Sequence, residues 1–210
     1  MEKKRLIILV PGSRPKGIPF FSILLDSIYN LFGVKTNFDF WVELFHEYLE
    51  DDREFNIRTF FWNGGITRTF SLSRASDDLA MLLDTCSDKY DEIYLFGKSL
   101  GGTVCALAAN KMQNYETVKR VVFVSTPHRT KNIRFKNSNM EVFNIYSGKD
   151  YFVSFANIFL NFGMGTKILN NAENIELKEF KHSVFNQNLN LNINGKKTKV
   201  FEFYRGLIED

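Results

Sequence analysis

Apolar residues in this chain gather into short runs separated by polar and turn-forming stretches. Four of them, Leu6 to Val10, Ile57 to Trp62, Ile93 to Phe96 and Val121 to Val124, are bounded by polar or turn-forming residues on both sides. Runs of this length and character predict strands buried in a parallel sheet. A fifth run, Val142 to Tyr146, ends in Ser147-Gly148-Lys149-Asp150, and a sixth, Ile175 to Phe180, alternates apolar with charged positions as a half-exposed edge strand does.

Between the runs the apolar period lengthens from two residues towards 3.6. Phe40, Trp41, Leu44, Phe45, Tyr48 and Leu49 fall on one helical stripe, and Leu72, Ala75, Leu79, Leu82, Leu83 and Cys86 on another. Leu100 to Met112 reads as a third helix of small apolar residues, and Thr198 to Ile208 as a closing one. Strands alternating with helices predict an α/β fold: a mainly parallel, doubly wound sheet of about six strands with helices on both faces. Such sheets bind ligands beyond the carboxyl ends of their strands. Two apolar, aromatic stretches break the alternation, residues 17–34 after the first strand and 151–166 after the fifth. With no internal repeat, low-complexity tract or linker, the 210 residues are expected to form one domain, 1–210.

Composition changes this picture in few places. Twenty-two Phe against two Trp point to a Phe-filled core, or to aromatic side chains in excess of a core that line an apolar pocket. The 27 basic and 24 acidic residues are interspersed and leave a formal charge of +3, so nucleic-acid binding is not suggested. The basic start Met1-Glu2-Lys3-Lys4-Arg5 imitates a signal peptide, but the following apolar run is too short and stops at Pro11-Gly12 without a small-residue cleavage site. No stretch approaches the roughly 20 apolar residues of a membrane span. Two cysteines, Cys86 and Cys105, provide neither a disulfide framework nor metal-ligand spacing, so a cytoplasmic location is the default expectation.

The candidate chemistry lies after the third strand, where Gly97-Lys98-Ser99-Leu100-Gly101-Gly102 leads directly into a helix. G-x-S-x-G in a strand–turn–helix setting is the nucleophile elbow: the turn is tight enough to strain its central residue, and its neighbours two before and two after must be small. The helix that follows directs its N-terminal dipole at the site. The alternative readings are a Gly-rich turn that merely closes a βα unit, or a phosphate-binding loop. A Walker loop needs a Gly five residues before Gly97, which is missing, and no dinucleotide G-x-G-x-x-G occurs here.

On this motif and its setting the chain resembles the α/β-hydrolase superfamily, and more closely its small lipases and esterases, over nearly its whole length. The resemblance implies a minimal α/β-hydrolase fold and a triad in the order Ser, Asp, His. Ser99 is then the nucleophile, Asp150 after the fifth strand the acid, and His182, just past the edge strand, the base. The other readings are a helix-capping Asp150 and a surface His182. Of the three His, His46 precedes Ser99 within a helical pattern, and His128, in Ser125-Thr126-Pro127-His128, is placed to line the site. One oxyanion donor is expected from the Leu100 N–H and a second from Ser13 N–H, although Pro11 stands where related lipases usually carry His. Phe20, Phe21, Leu24, Leu25, Phe152, Phe155 and Phe159 either wall a substrate pocket, in cap insertions at 17–34 and 151–166, or belong to ordinary core helices.

The implied reaction is hydrolysis of a carboxylic ester through an acyl-enzyme, with no metal or organic cofactor. The expected partner is a small apolar ester or acyl compound, with no nucleic acid, no transmembrane segment, peripheral lipid contact allowed, and the oligomeric state open. Thioester hydrolysis and acyl transfer on the same fold are alternatives, and a non-catalytic binding protein that has kept the fold is the rival from another class.

Overall fold

The structure, a computed structural model, describes residues 3–12, 45–47, 55–62, 68–128, 131–150, 168–178, 190–193 and 196–209. Six strands form one parallel sheet: β1 (Arg5–Val10), β2 (Phe55–Thr59), β3 (Glu92–Lys98), β4 (Val118–Val124), β5 (Glu141–Tyr146) and β6 (Glu173–Glu176), in the spatial order β2-β1-β3-β4-β5-β6. Every neighbouring pair runs parallel. The expected parallel sheet and its number of strands both match.

Alternation along the central strands builds two cores. Leu6, Ile8 and Val10 of β1, Ile93 and Leu95 of β3, and Val121 and Phe123 of β4 face one side. There they meet helix α1 (Arg68–Ser87), through Leu72, Leu79 and Leu83, and helix α2 (Leu100–Lys111), through Val104, Cys105 and Ala108. Ile7, Leu9, Tyr94, Phe96, Val122 and Val124 face the other side, against Phe45 and the closing helix α3 (Val200–Glu209), through Val200, Phe201, Tyr204 and Ile208. Phe45 lies on the described helical turn at 45–47 and meets the rings of Phe96, Phe201 and Tyr204 at 5.1, 5.3 and 5.4 Å. A sheet sandwiched in this way needs strands apolar on both faces, which is why Leu6 to Val10 of β1, Ile93 to Phe96 of β3 and Val121 to Val124 of β4 are unbroken apolar runs.

Several boundaries differ from those expected: β1, β3, β4 and β5 each begin one to three residues earlier, and β3 runs on to Lys98. The second strand is Phe55–Thr59 and not Ile57 to Trp62. Phe60 N–H still bonds Leu9 O at 2.9 Å, but Phe61 is 66% exposed and Trp62 has left the sheet to donate its indole N–H to Pro11 O at 2.9 Å. The edge strand covers only Glu173–Glu176, half-exposed as expected, and residues 179–180 lie outside the described part. The closing helix starts at Val200, because Thr198 and Lys199 belong to a hairpin of β7 (Asn190–Ile193) and β8 (Lys196–Lys199) that the helical reading overran. The Glu202 carboxylate accepts the Lys199 N–H at 3.0 Å and the Thr198 hydroxyl at 3.2 Å, fixing that junction.

Candidate active site

Parallel order brings the carboxyl ends of β1, β3, β4 and β5 to one edge, and the candidate residues follow those ends directly. Ser99 joins β3 to α2 with φ 51° and ψ −128°. A positive φ is costly for a residue with a Cβ and persists only where the surroundings over-determine it. Here Ser99 N–H bonds Val124 O at 2.9 Å and Ser99 O accepts Gly102 N–H at 3.0 Å.

The surrounding glycines are required by contact. A Cβ on Gly97 would collide with the Gly102 backbone and come 2.9 Å from Cys105 Sγ. One on Gly101 would strike Val10 O and lie 2.6 Å from Pro11 O. One on Gly102 would overlap Thr126 Oγ1. The elbow is thus pressed against β1 by Gly101 and against the segment after β4 by Gly102. Thr126 hydroxyl donates to Gly97 O at 3.3 Å, closing the ring of contacts. Leu100 is the first residue of α2, so its N–H is one of the first-turn donors without an intrahelical partner.

The segment after β4 repeats the strain. Ser125 has φ 48°, its N–H bonds Ile145 O at 2.9 Å, and its buried Oγ has no partner among the described residues. No sequence signal marked Ser125, since a serine after a strand is ordinary. His128 is 5% exposed, with Nε2 3.1 Å from Asn144 Oδ1 and its ring edge-on to Phe123 at 5.0 Å. Burial pushes its pKa down to about 4 against the opposing Asn144 contact, so the ring is neutral near pH 7. The chain of amides continues: Asn144 Nδ2 donates to Asn174 Oδ1 at 2.8 Å, and Asn174 Nδ2 donates to Leu169 O at 2.6 Å and Ala172 O at 2.9 Å. His128 therefore joins a structural relay that fastens β4, β5 and β6 together.

Asp150 closes a turn after β5, its N–H bonding Ser147 O at 3.2 Å while Ser147 Oγ accepts Lys149 N–H at 3.1 Å, and it is 2% exposed. Lys98, inside the motif, is a charged residue only 1% exposed, and the sequence reading gave it no role. Burial lowers its pKa to about 7 while the charge of Asp150 opposes that shift. His182, Ser13, Phe20, Phe21, Leu24, Leu25, Phe152, Phe155 and Phe159 lie outside the described residues. The structure thus gathers Ser99, Leu100, His128 and Asp150 beyond one edge of the sheet.

No protein-family model matches the chain, and no curated protein does. Solved structures match its fold. The mouse alpha/beta hydrolase domain-containing protein 10 superposes with a TM-score of 0.55 at 15% identity, over 98% of this chain and 88% of that one. An uncharacterized protein from Bacillus cereus ATCC 10987 gives 0.55 at 12% identity over 99% of this chain, which spans only 60% of that protein. The Francisella virulence factor BioJ gives 0.50 at 10% identity, over 89% and 70% of the two chains. The chain has the α/β-hydrolase fold. Among the described residues no helix is long and apolar enough to cross a membrane.

Proposed function

We propose that the chain is a serine hydrolase that cleaves a carboxylic ester, with Ser99 as nucleophile, His182 as general base and Asp150 as the acid that orients it. The observation that carries this reading is the backbone of Ser99. A positive-φ serine wedged among three glycines between a central strand and a helix N-terminus is expensive to maintain, and the geometry suits a hydroxyl held out for attack.

In the proposed reaction the Ser99 hydroxyl adds to the ester carbonyl as its proton passes to His182. The oxyanion receives the Leu100 N–H at the start of α2 and, in this reading, the Ser13 N–H. Collapse breaks the bond to the alkoxide, which leaves as the alcohol with the proton from His182. Water, deprotonated by the same His, then adds to the acyl-enzyme and releases the acid and free Ser99. Asp150 remains ionised throughout, fixing the imidazole tautomer. None of these steps needs a cofactor.

Ser99→Ala should lower turnover of a p-nitrophenyl ester by about 10⁴- to 10⁶-fold, and abolish covalent labelling by a serine-reactive phosphonate, with the fold retained. Parental activity in purified Ser99→Ala would overturn the assignment. Labelling at Ser99 without ester turnover would redirect it towards acyl transfer.

A further inference from the structure

We propose that Lys98 is a positioning residue of this site, its buried ammonium serving as the counter-charge that keeps the Asp150 carboxylate ionised and in place. The inference rests on the triad reading above and adds a residue to it.

The geometry comes from strand register. Lys98 pairs with Val124 of β4, and Val124 with Ile145 of β5. Partners in register on a parallel sheet share a face, and Val124 and Ile145 both belong to the core beneath α3. Alternation agrees, since Phe96 lies in that same core while a Cβ on Gly97 would point at α2. The lysine stem therefore runs into an apolar row at the end of the sheet, 1% exposed, where an aliphatic residue would pack at no electrostatic cost. The same row leads to a carboxylate. Immediately after Ile145 and Tyr146 the Ser147 turn carries the chain to Asp150, 2% exposed. Below its pKa of about 7 Lys98 is an ammonium, and it and the buried Asp150 carboxylate then offset part of each other's burial cost.

Among the described residues, the titratable side chains in the core on this face are Tyr94 of β3 and Tyr204 of α3, both kept protonated by burial, and Asp150 follows β5. His128, also neutral, packs on Phe123 in the opposite core. Asp150 is the described group whose charge acts on Lys98. Without the ammonium, Asp150 would take up a proton at higher pH. In the triad reading, protonation of Asp150 removes the group that orients His182, so loss of activity moves to higher pH.

Two measurements test this. In protein carrying ¹³C-lysine, with the Lys98 signal assigned by its absence in Lys98→Arg, Asp150→Asn should lower the Lys98 pKa by about one unit or more. An unchanged Lys98 pKa would overturn the pairing, whatever the enzyme does. In the second, the acid limb of the kcat/KM profile on a p-nitrophenyl ester should move up by about one pH unit in Lys98→Met and stay near the parental position in Lys98→Arg. A folded Lys98→Met that lowers kcat evenly at all pH values would show that Lys98 only fills space. If Asp150→Asn lowers the Lys98 pKa yet Ser99→Ala keeps full activity, the pair stands and the triad reading fails.

Discussion

Replacing Gly102 by Ala tests whether the elbow is set by contact with the segment after β4. The added Cβ would overlap Thr126 Oγ1 and lie 2.7 Å from Thr126 Cγ2 and 2.9 Å from its Cβ. Thr126 cannot simply rotate away, because it is 4% exposed and its hydroxyl is engaged by Gly97 O. Overpacking of this kind costs about 1–3 kcal/mol, and contact with a branched side chain close to its backbone puts Gly102→Ala near the upper end. For a chain of this size that lowers Tm by about 6–12 °C. Thr126→Ala alone should cost only about 1 kcal/mol, for the lost hydrogen bond. The double variant removes Oγ1 and Cγ2 and leaves the 2.9 Å contact, so it should be more stable than Gly102→Ala by about 1–2 kcal/mol. Thermal melts of the four proteins give the cycle directly. Gly101→Ala is the control, since its Cβ would meet the carbonyls of Val10 and Pro11, backbone that no side-chain deletion relieves. If Thr126→Ala fails to rescue Gly102→Ala, or rescues Gly101→Ala equally well, the contact account of the elbow is wrong.

Three further outcomes follow from the same site. Ser125→Gly should raise stability by about 1 kcal/mol, since it relieves a positive φ and deletes a buried hydroxyl that has no partner among the described residues; a lower melting temperature would refute this. His128 is held near pKa 4 against an ordinary 6.5, so the unfolded chain binds the extra proton between those values. Stability from this group is complete above about pH 6.5 and lost as pH falls towards 4, by up to about 3 kcal/mol. Denaturant titrations at stepped pH should show that slope in the parent and a flatter one in His128→Gln. Among the histidines, His182→Ala should lose nearly as much turnover as Ser99→Ala, with little added in the double variant, whereas His46→Ala should keep most activity; an active His182→Ala would move the search for the base elsewhere.

The sheet was legible in the sequence because burial on both faces leaves an unmistakable mark. β1, β3 and β4 have no solvent face, so their apolar runs needed no arbitration between helix and strand. Ends were less legible. Phe60, Phe61 and Trp62 extend the apolar run of β2, but only tertiary contact decides that Trp62 turns out to reach Pro11. The β7–β8 hairpin was missed because the helical period of the residues that follow extends back over Thr198 and Lys199. At the candidate site, spacing was enough to mark the strained turn at Ser99 and the glycines packed around it. It could not reveal Lys98, because a lysine beside a turn ordinarily points to water, and only register places this one in the core. Ser125 was equally hidden, for its strain is a backbone property with no preferred residue type.

The two strained serines are related by the sheet itself. Ser99 follows β3 and hangs its N–H on the last residue of β4, Val124; Ser125 follows β4 and hangs its N–H on Ile145, near the end of β5. Each residue thus completes one more rung of the parallel ladder before its positive φ turns the chain out of the sheet. A rung of that kind ties the turn to a neighbour that is buried on both faces and cannot shift without disturbing both cores. At the edge the direction reverses: Leu177, after β6, hangs its N–H on the O of Tyr146, the last residue of β5. Asp150 lies four residues beyond Tyr146, in a turn closed by its own N–H bond to Ser147 O. The position of the elbow is consequently inherited from strand register. Solved structures share the fold at only 10–15% identity, so the sheet does not depend on most of the individual side chains.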